Sequence, residues 1–208
     1  MTDFDKLIAK FEKFPGVGAR QARRFVQHLL TRPETERVEF ANLVENLKSS
    51  VWQCHTCYRF YTTHTNQQNE CRICADSTRQ QTQLLVLAQD SDILAIEKSG
   101  TYSGTYFVLG GTIPLLKDTD NTTIRSTPLK NLVKKRLSED RLEEIILGLP
   151  INPDGENTAR FIRQLLADVI TETNCVITQL GRGLSTGSEL EYADGETIKS
   201  ALQNRGTY

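Results

Sequence analysis

No excess of either charge is present: 25 Lys and Arg face 26 Asp and Glu over 208 residues. That balance excludes a uniformly basic, histone-like binder, so any nucleic-acid surface must be local and offset by an acidic region elsewhere. Long apolar runs are missing too. The longest, such as Leu84–Ala88 and Ile145–Leu147, fall far short of the ~20 residues that a membrane helix needs. Met1-Thr2-Asp3 opens the chain without an apolar signal core, so the expected compartment is the cytoplasm, where thiols stay reduced. No G-x-x-x-x-G-K-[ST] loop occurs, which leaves a P-loop ATPase unsupported. No histidine follows His64, which removes the candidate base of a hydrolase triad. Repeats of ~20–50 residues and low-complexity tracts are absent as well.

What remains is a globular composition, 38% hydrophobic and 25% charged. The length suits one or two domains at ~100–200 residues each, large enough to fold without disulfides. Periodicity divides the chain into a helical part (1–52), a polar cysteine-bearing segment (53–81) and an alternation of short apolar runs with helical stretches (82–208). The last pattern predicts βα units around a mostly parallel sheet. The fold class is therefore α/β with two smaller modules in front.

Charge is unevenly placed. Lys13 to Arg32 holds five cations and no acid, whereas Glu139 to Glu172 holds eight acids against three arginines. Just before the cationic stretch, Phe4, Leu7, Ile8 and Phe11 recur at helical spacing, and within it so do Ala22, Phe25, Val26, Leu29 and Leu30. Pro15-Gly16-Val17-Gly18 separates the two runs. Proline stops the first helix, and Gly16 and Gly18 permit a tight turn. The second helix then begins with free amides and a positive dipole end, which suit a phosphate. Arg20, Arg23 and Arg24 lie in its first turns. This arrangement predicts a helix-hairpin-helix that grips the DNA backbone without reading bases; the alternative is an ordinary helical hairpin with a solvated basic face. A third helix, about 36–51, presents Phe40, Val44, Leu47 and Val51 on one face, expected to pack the hairpin.

Cys54-His55-Thr56-Cys57 and Cys71-Arg72-Ile73-Cys74 form two CxxC pairs. Two such knuckles with a short spacer bring four thiolates into the tetrahedral set that zinc takes. With four cysteine ligands no position is open to water, so one Zn²⁺ here is structural. The segment has few apolar residues, and structural zinc supplies about 10–16 kcal/mol in finger peptides. His55 and His64 are the alternative ligands. Cys175, in an apolar run, reads as a buried strand residue with no role.

In the last part, strands are expected near 84–88, 106–109, 144–149 and 175–180. Helices are expected near 92–99, capped by Ser91 or Asp90, at 129–137, after the Ile151-Asn152-Pro153-Asp154-Gly155-Glu156 lead-in through Thr158, Phe161, Ile162 and Leu165, and at 196–204. Residues 112–127 read as a loop. Ligands of open α/β sheets collect beyond the carboxyl ends of the strands, where Gln89, Asp90, Asp92, Asp154 and Glu156 fall. Asp154-x-Glu156 facing another acid has the oxygen donors for Mg²⁺ and phosphoryl transfer. Helix capping and a solvated acidic rim explain the same residues equally well.

Taken together, these parts resemble the RecR family of bacterial recombination mediators. FPGVGARQARRFVQHLL is similar to that family's helix-hairpin-helix. CHTC…CRIC resembles its zinc finger, and DILAIEKSGTYSGTYFVLGG and GRGLSTGSELEYADGETIKSAL resemble two of its distinctive stretches. The resemblance implies a Toprim-type α/β domain and a non-enzymatic mediator acting at the nucleoid. It implies a dimer or ring-shaped tetramer that clamps DNA, gapped or at duplex/single-strand junctions, without sequence preference. It further implies partnership with RecO, and through the same pathway RecF, in loading RecA at gaps. Arg20 and Arg24 match basic family positions facing DNA; Arg23 is added from its place in the chain. Asp154 and Glu156 match acidic positions associated with RecO contact. Two positions depart from the pattern. The glutamate that ends the first Toprim strand falls on Ala88, and the Asn-Pro after the third strand falls on Pro150-Ile151. The first removes a metal ligand and counts against the other reading, a Toprim-type Mg²⁺-dependent phosphoryl-transfer enzyme on DNA.

Overall fold

The computed structural model describes residues 1–62, 69–115, 124–139, 141–181, 183–184, 187 and 189–205. They form two compact units, Met1–Val51 and Trp52–Tyr208.

The first unit is helical. Helix α1 (Asp3–Phe11) starts from a capping box in which Thr2 and Asp5 satisfy each other's backbone amides. Helix α2 (Ala19–Leu30) follows the Pro-Gly turn. The two pack through Ile8, Ala22 and Val26, with Phe4, Phe11 and Val17 around them, and Phe11 meets Phe14 and Phe25 edge-on at 5.6 Å. The expected third helix is two, α3 (Glu34–Glu45) and α4 (Leu47–Ser50). They part at Asn46, whose side chain bonds back to the Asn42 carbonyl at 2.8 Å, a local bond that competes with the helical ladder. The apolar face also differs from expectation. Phe40, Val44 and Leu47 stay 46%, 59% and 59% exposed, with Phe40 and Val44 lining an open groove of 480 Å³ opposite Leu7, Val26, Leu29 and Leu30.

The second unit opens with a two-residue ribbon, β1 (Trp52–Gln53) antiparallel to β2 (Phe60–Tyr61). Then come β3 (Gln83–Leu87), α5 (Asp90–Ser99), β4 (Thr105–Val108), α6 (Ser126–Ser138), β5 (Glu144–Gly148), α7 (Pro153–Ile170) and β6 (Val176–Gln179). A 3-10 turn (Leu190–Tyr192) and α8 (Gly195–Gln203) close the order. The four longer strands form a parallel sheet in the order β4-β3-β5-β6. Alternation along the strands sends residues to opposite faces. Leu84, Val86 and Phe107 face Leu129 and Val133 of α6 and Ile162 and Leu166 of α7. Leu85, Leu87, Tyr106 and Val108 face Ile93 of α5 and, beside it, Cys54, Cys57, Cys71 and Ile73. The cysteine segment thus fills the part of that face that α5 leaves open, and shares its core. Two local expectations change. Gln89, not Ser91 or Asp90, caps α5, in a capping box with Asp92. Helix α6 begins at Ser126, inside the stretch read as a loop, half of which lies outside the described residues.

Candidate metal centre and nucleic-acid interface

Cys54, Cys57, Cys71 and Cys74 place their Sγ atoms within 4.8 Å of one another, and Cys57 and Cys71 sit 3.7 Å apart. Zinc–sulfur bonds of ~2.3 Å at tetrahedral angles put sulfurs about 3.8 Å apart, so the set fits one metal ion. The thiols are free of disulfides. The spacing works because each knuckle closes a tight backbone turn: Tyr58 N donates to Cys54 O at 2.9 Å and Ala75 N to Cys71 O at 3.0 Å. Cys71 N also points at Cys54 Sγ, 3.4 Å away. Packed together, the thiols compete for protons. Hydrogen bonds from Cys57, then Cys71 and Cys74, hold the Cys54 thiol far below its usual range. Contact with Cys54 pulls Cys71 up, but Cys57 and Cys74 outweigh it and leave Cys71 at about 7. Cys57 and Cys74, hydrogen-bonded first to Cys54, are pushed up. A metal held by the four thiolates would replace those protons with its own charge. His55 is exposed beside the cluster, and His64 lies outside the described residues. Cys175 is buried in the main core, away from the other four.

The finger is tied to the sheet at three points. Val108 N donates to Cys57 O at 2.8 Å. Tyr58 holds φ +63°, where glycine is the usual residue, and its ring meets Phe107 at 5.4 Å and carries the Arg125 guanidinium over it at 5.5 Å. Arg59 lies 3.7 Å from Asp90, whose carboxylate also accepts from Phe60 N.

In the helical unit, Gly16 takes φ +75°, which an L-residue avoids. Gly18 is the N-cap of α2 at φ −88° and ψ 170°, with no side-chain cap and no acid in the first turn. The amides of Ala19, Arg20 and Gln21 therefore open the helix without a capping acceptor. Arg20, Arg23 and Arg24 are exposed, whereas Ala22 and Val26 are buried. Arg23 lies over the Phe4 ring at 5.9 Å. Among the described residues none of the three forms an ion pair with a carboxylate.

The acids expected at the strand ends do not converge. Among the described residues, the four cysteines are the metal-ligating group that lies close together. Ala88 is buried in the core. Asp92 serves the α5 cap. Asp154 Oδ1 accepts from Leu115 N at 2.9 Å, and its neighbour Thr158 accepts from Ile113 N at 2.8 Å. These bonds fasten the start of the 112–115 segment to α7. Glu156 Oε1 accepts from Gln179 Nε2 at 3.4 Å. Asn152 caps α7 through Gly155 N at 2.8 Å. A Cβ on Gly155 would sit 1.9 Å from Pro150 O, so only glycine fits that turn.

Family models match the parts on either side of the cysteine segment. Residues 4–48 match the RecR helix-hairpin-helix model, 82–180 a Toprim domain and 183–205 the RecR C-terminal model. Recombination protein RecR of Synechococcus sp. (strain CC9311) is 37% identical over 199 residues, covering 96% of this chain and 98% of that one. The chain belongs to the RecR family. Other RecR relatives are similarly close. Recombination protein RecR of Prochlorococcus marinus (strain MIT 9312) is 35% identical and that of Staphylococcus saprophyticus 34%, each over 96% of this chain and 94% of the relative. The chain is therefore a member of a family of recombination proteins, built from a helix-hairpin-helix, a four-cysteine cluster and a Toprim sheet. No helix among the described residues is long and apolar enough to cross a membrane.

Proposed function

We propose that the chain is a DNA-binding recombination mediator rather than an enzyme. The observation that carries this is the start of α2: uncapped amides behind Gly18, no acid in the first turn, and three exposed arginines in its first two turns. A phosphate placed there meets backbone donors, the helix dipole and guanidinium charge together. Gly16, Gly18, Arg20, Arg23 and Arg24 form this contact. It grips backbone and not base edges, so binding is sequence-independent and driven by counterion release. The four cysteines hold one structural Zn²⁺, which sets the finger's fold and takes no part in chemistry.

Beyond DNA, the RecR resemblance supports work with RecO, and RecF in the same pathway, to load RecA at gaps near the nucleoid. Asp154 and Glu156 are the acids assigned to the partner. The exposed apolar residues of α3 and α4 support a dimer or ring tetramer that closes around DNA. The three-part division at 52/53 and 81/82 is the organisation proposed for this work. The Toprim match favours a second reading, Mg²⁺-dependent phosphoryl transfer. Ala88 and the separated acids weigh against it.

A gapped duplex with Mg²⁺, run on native and denaturing gels over a salt series, tests both. A salt-sensitive shift with intact strands is expected. Replacing Arg20 and Arg24 by alanine should flatten the slope of log K against log salt by about 1 for each phosphate no longer neutralised. An unchanged slope overturns the hairpin assignment, and cut or covalently trapped strands overturn the mediator reading.

A further inference from the structure

We propose that the cleft beside the first cysteine pair receives an unpaired nucleobase of single-stranded DNA, stacked on Trp52. The proposal rests on the DNA-binding reading above but concerns a different site. The cleft measures 450 Å³ and is lined by Trp52, Gln53, Cys54, His55, Tyr58 and Asn69, a size in the ordinary range of small-ligand sites. Trp52 is the only tryptophan of the chain. A tryptophan in a module so poor in apolar residues is expected to fill its core. It does not: the finger's interior is built from the cysteines, Ile73 and Tyr61 against the sheet, and Trp52 belongs to none of the three core clusters. Trp52 is half-buried, and the part of it that stays uncovered lines the cleft.

The other walls are amide and imidazole edges. The Gln53 carboxamide donates to Tyr58 O at 3.1 Å, which leaves its carbonyl oxygen toward other donors. The Asn69 carboxamide and the His55 ring have no partner among the described residues. Apart from His55 the lining carries no charged side chain, and Glu70, the acid next to Asn69 in sequence, is engaged by Thr56 at 2.7 Å. A plane of aromatic carbon edged by neutral donors and acceptors selects a flat, neutral, hydrogen-bonding ligand. A nucleobase is that ligand; a phosphate or a charged side chain is not. Duplex bases are already stacked and paired, so the site takes a single strand, for which aromatic stacking is the usual means of capture. The backbone around the cleft is fixed in advance. His55 N donates to Asn69 O and Cys54 N to Arg59 O, both at 2.9 Å, and fixed walls spare the ordering cost of binding.

The sole tryptophan supplies the test. The metal-loaded full-length protein is titrated with dye-labelled oligothymidylate, reading dye anisotropy and tryptophan fluorescence together. A base-free deoxyribose-phosphate strand of equal length and thymidine monophosphate serve as comparisons. The expected result is fluorescence quenching that tracks anisotropy with oligothymidylate, and binding without quenching for the base-free strand. Trp52→Ala should weaken single-strand binding roughly 5- to 100-fold for one stacked base while leaving duplex binding unchanged. Anisotropy without quenching overturns this proposal and leaves the hairpin reading standing. No anisotropy change with oligothymidylate overturns it as well, and the gapped-duplex gels then decide the hairpin reading separately. Equal quenching by thymidine monophosphate at the same concentration shows a free-nucleotide pocket and overturns the strand assignment. Should Trp52→Ala not fold, the unmodified protein's fluorescence decides the matter alone.

Discussion

The Tyr58 ring packs on Phe107 at 5.4 Å while its own backbone holds φ +63°. A residue that glycine would suit better is kept aromatic because its ring joins the finger to strand β4. Two variants separate the opposing effects. Tyr58→Ala keeps the backbone strain and loses the ring, at a cost of about 1–3 kcal/mol for a half-buried aromatic. Tyr58→Gly loses the ring but relieves the strain, so it should be less destabilising by about 1 kcal/mol. Denaturant unfolding of the metal-loaded proteins gives the order, and a reversed order would show that φ at Tyr58 carries no strain.

Metal removal should be felt outside the finger. Cys57 O accepts from Val108 N, and the cysteines share a core with Leu85, Leu87 and Tyr106. Chelation, or Cys71→Ser, is expected to speed amide exchange at Val108 and through β4. Exchange at Ile8 and Val26 in the helical unit should not change. Protection of Val108 that survives chelation would mean that the finger holds its shape without metal.

Binding and stability at the hairpin can be moved in opposite directions. Asp at an N-cap satisfies helix amides and complements the dipole. Gly18→Asp should therefore leave the melting temperature unchanged or raised. The same carboxylate occupies and repels where phosphate is proposed to sit, so DNA affinity should fall about tenfold or more. Unchanged affinity would remove the α2 N-terminus from the DNA contact.

One acid-sensitive lock lies between the finger's exit and the sheet. Glu97 accepts from Arg79 Nη1 at 2.9 Å and from Tyr106 Oη at 2.5 Å. Burial pushes its carboxyl up, but Arg79 and Tyr106 outweigh that and hold it below its ordinary 4.5. A carboxylate with a depressed pKa stabilises the fold above its unfolded pKa and loses that contribution as pH falls through the folded value. Glu97→Gln should lower stability near neutrality and flatten the acid limb of a stability–pH curve below about pH 4.5. A curve of unchanged shape would assign the acid limb to other groups.

The sheet and the metal ligands were legible in the sequence because both are local signals. A buried parallel strand is a short apolar run, as at Leu84–Leu87, and a knuckle is a fixed spacing of cysteines. The hairpin was legible for the same reason, through Pro15, Gly16 and the two amphipathic runs. Long-range partners leave no such trace. Nothing around Asp154 shows that its carboxylate fastens the Leu115 amide 39 residues away, and nothing in CHTC shows that the finger rests on Tyr106 and Val108. The exposed face of α3 misled for a related reason: spacing shows that Phe40 and Val44 share a side, not what covers it.

Strand β4 is one of the two edge strands of its sheet, and the Val108 amide that reaches Cys57 lies on the side away from β3. An outer strand with bare amides is a template for pairing with another molecule. By covering the end of that strand, the finger works as an edge guard. If the four cysteines hold a metal, its removal would do more than loosen a small module: it would uncover that border and favour aggregation.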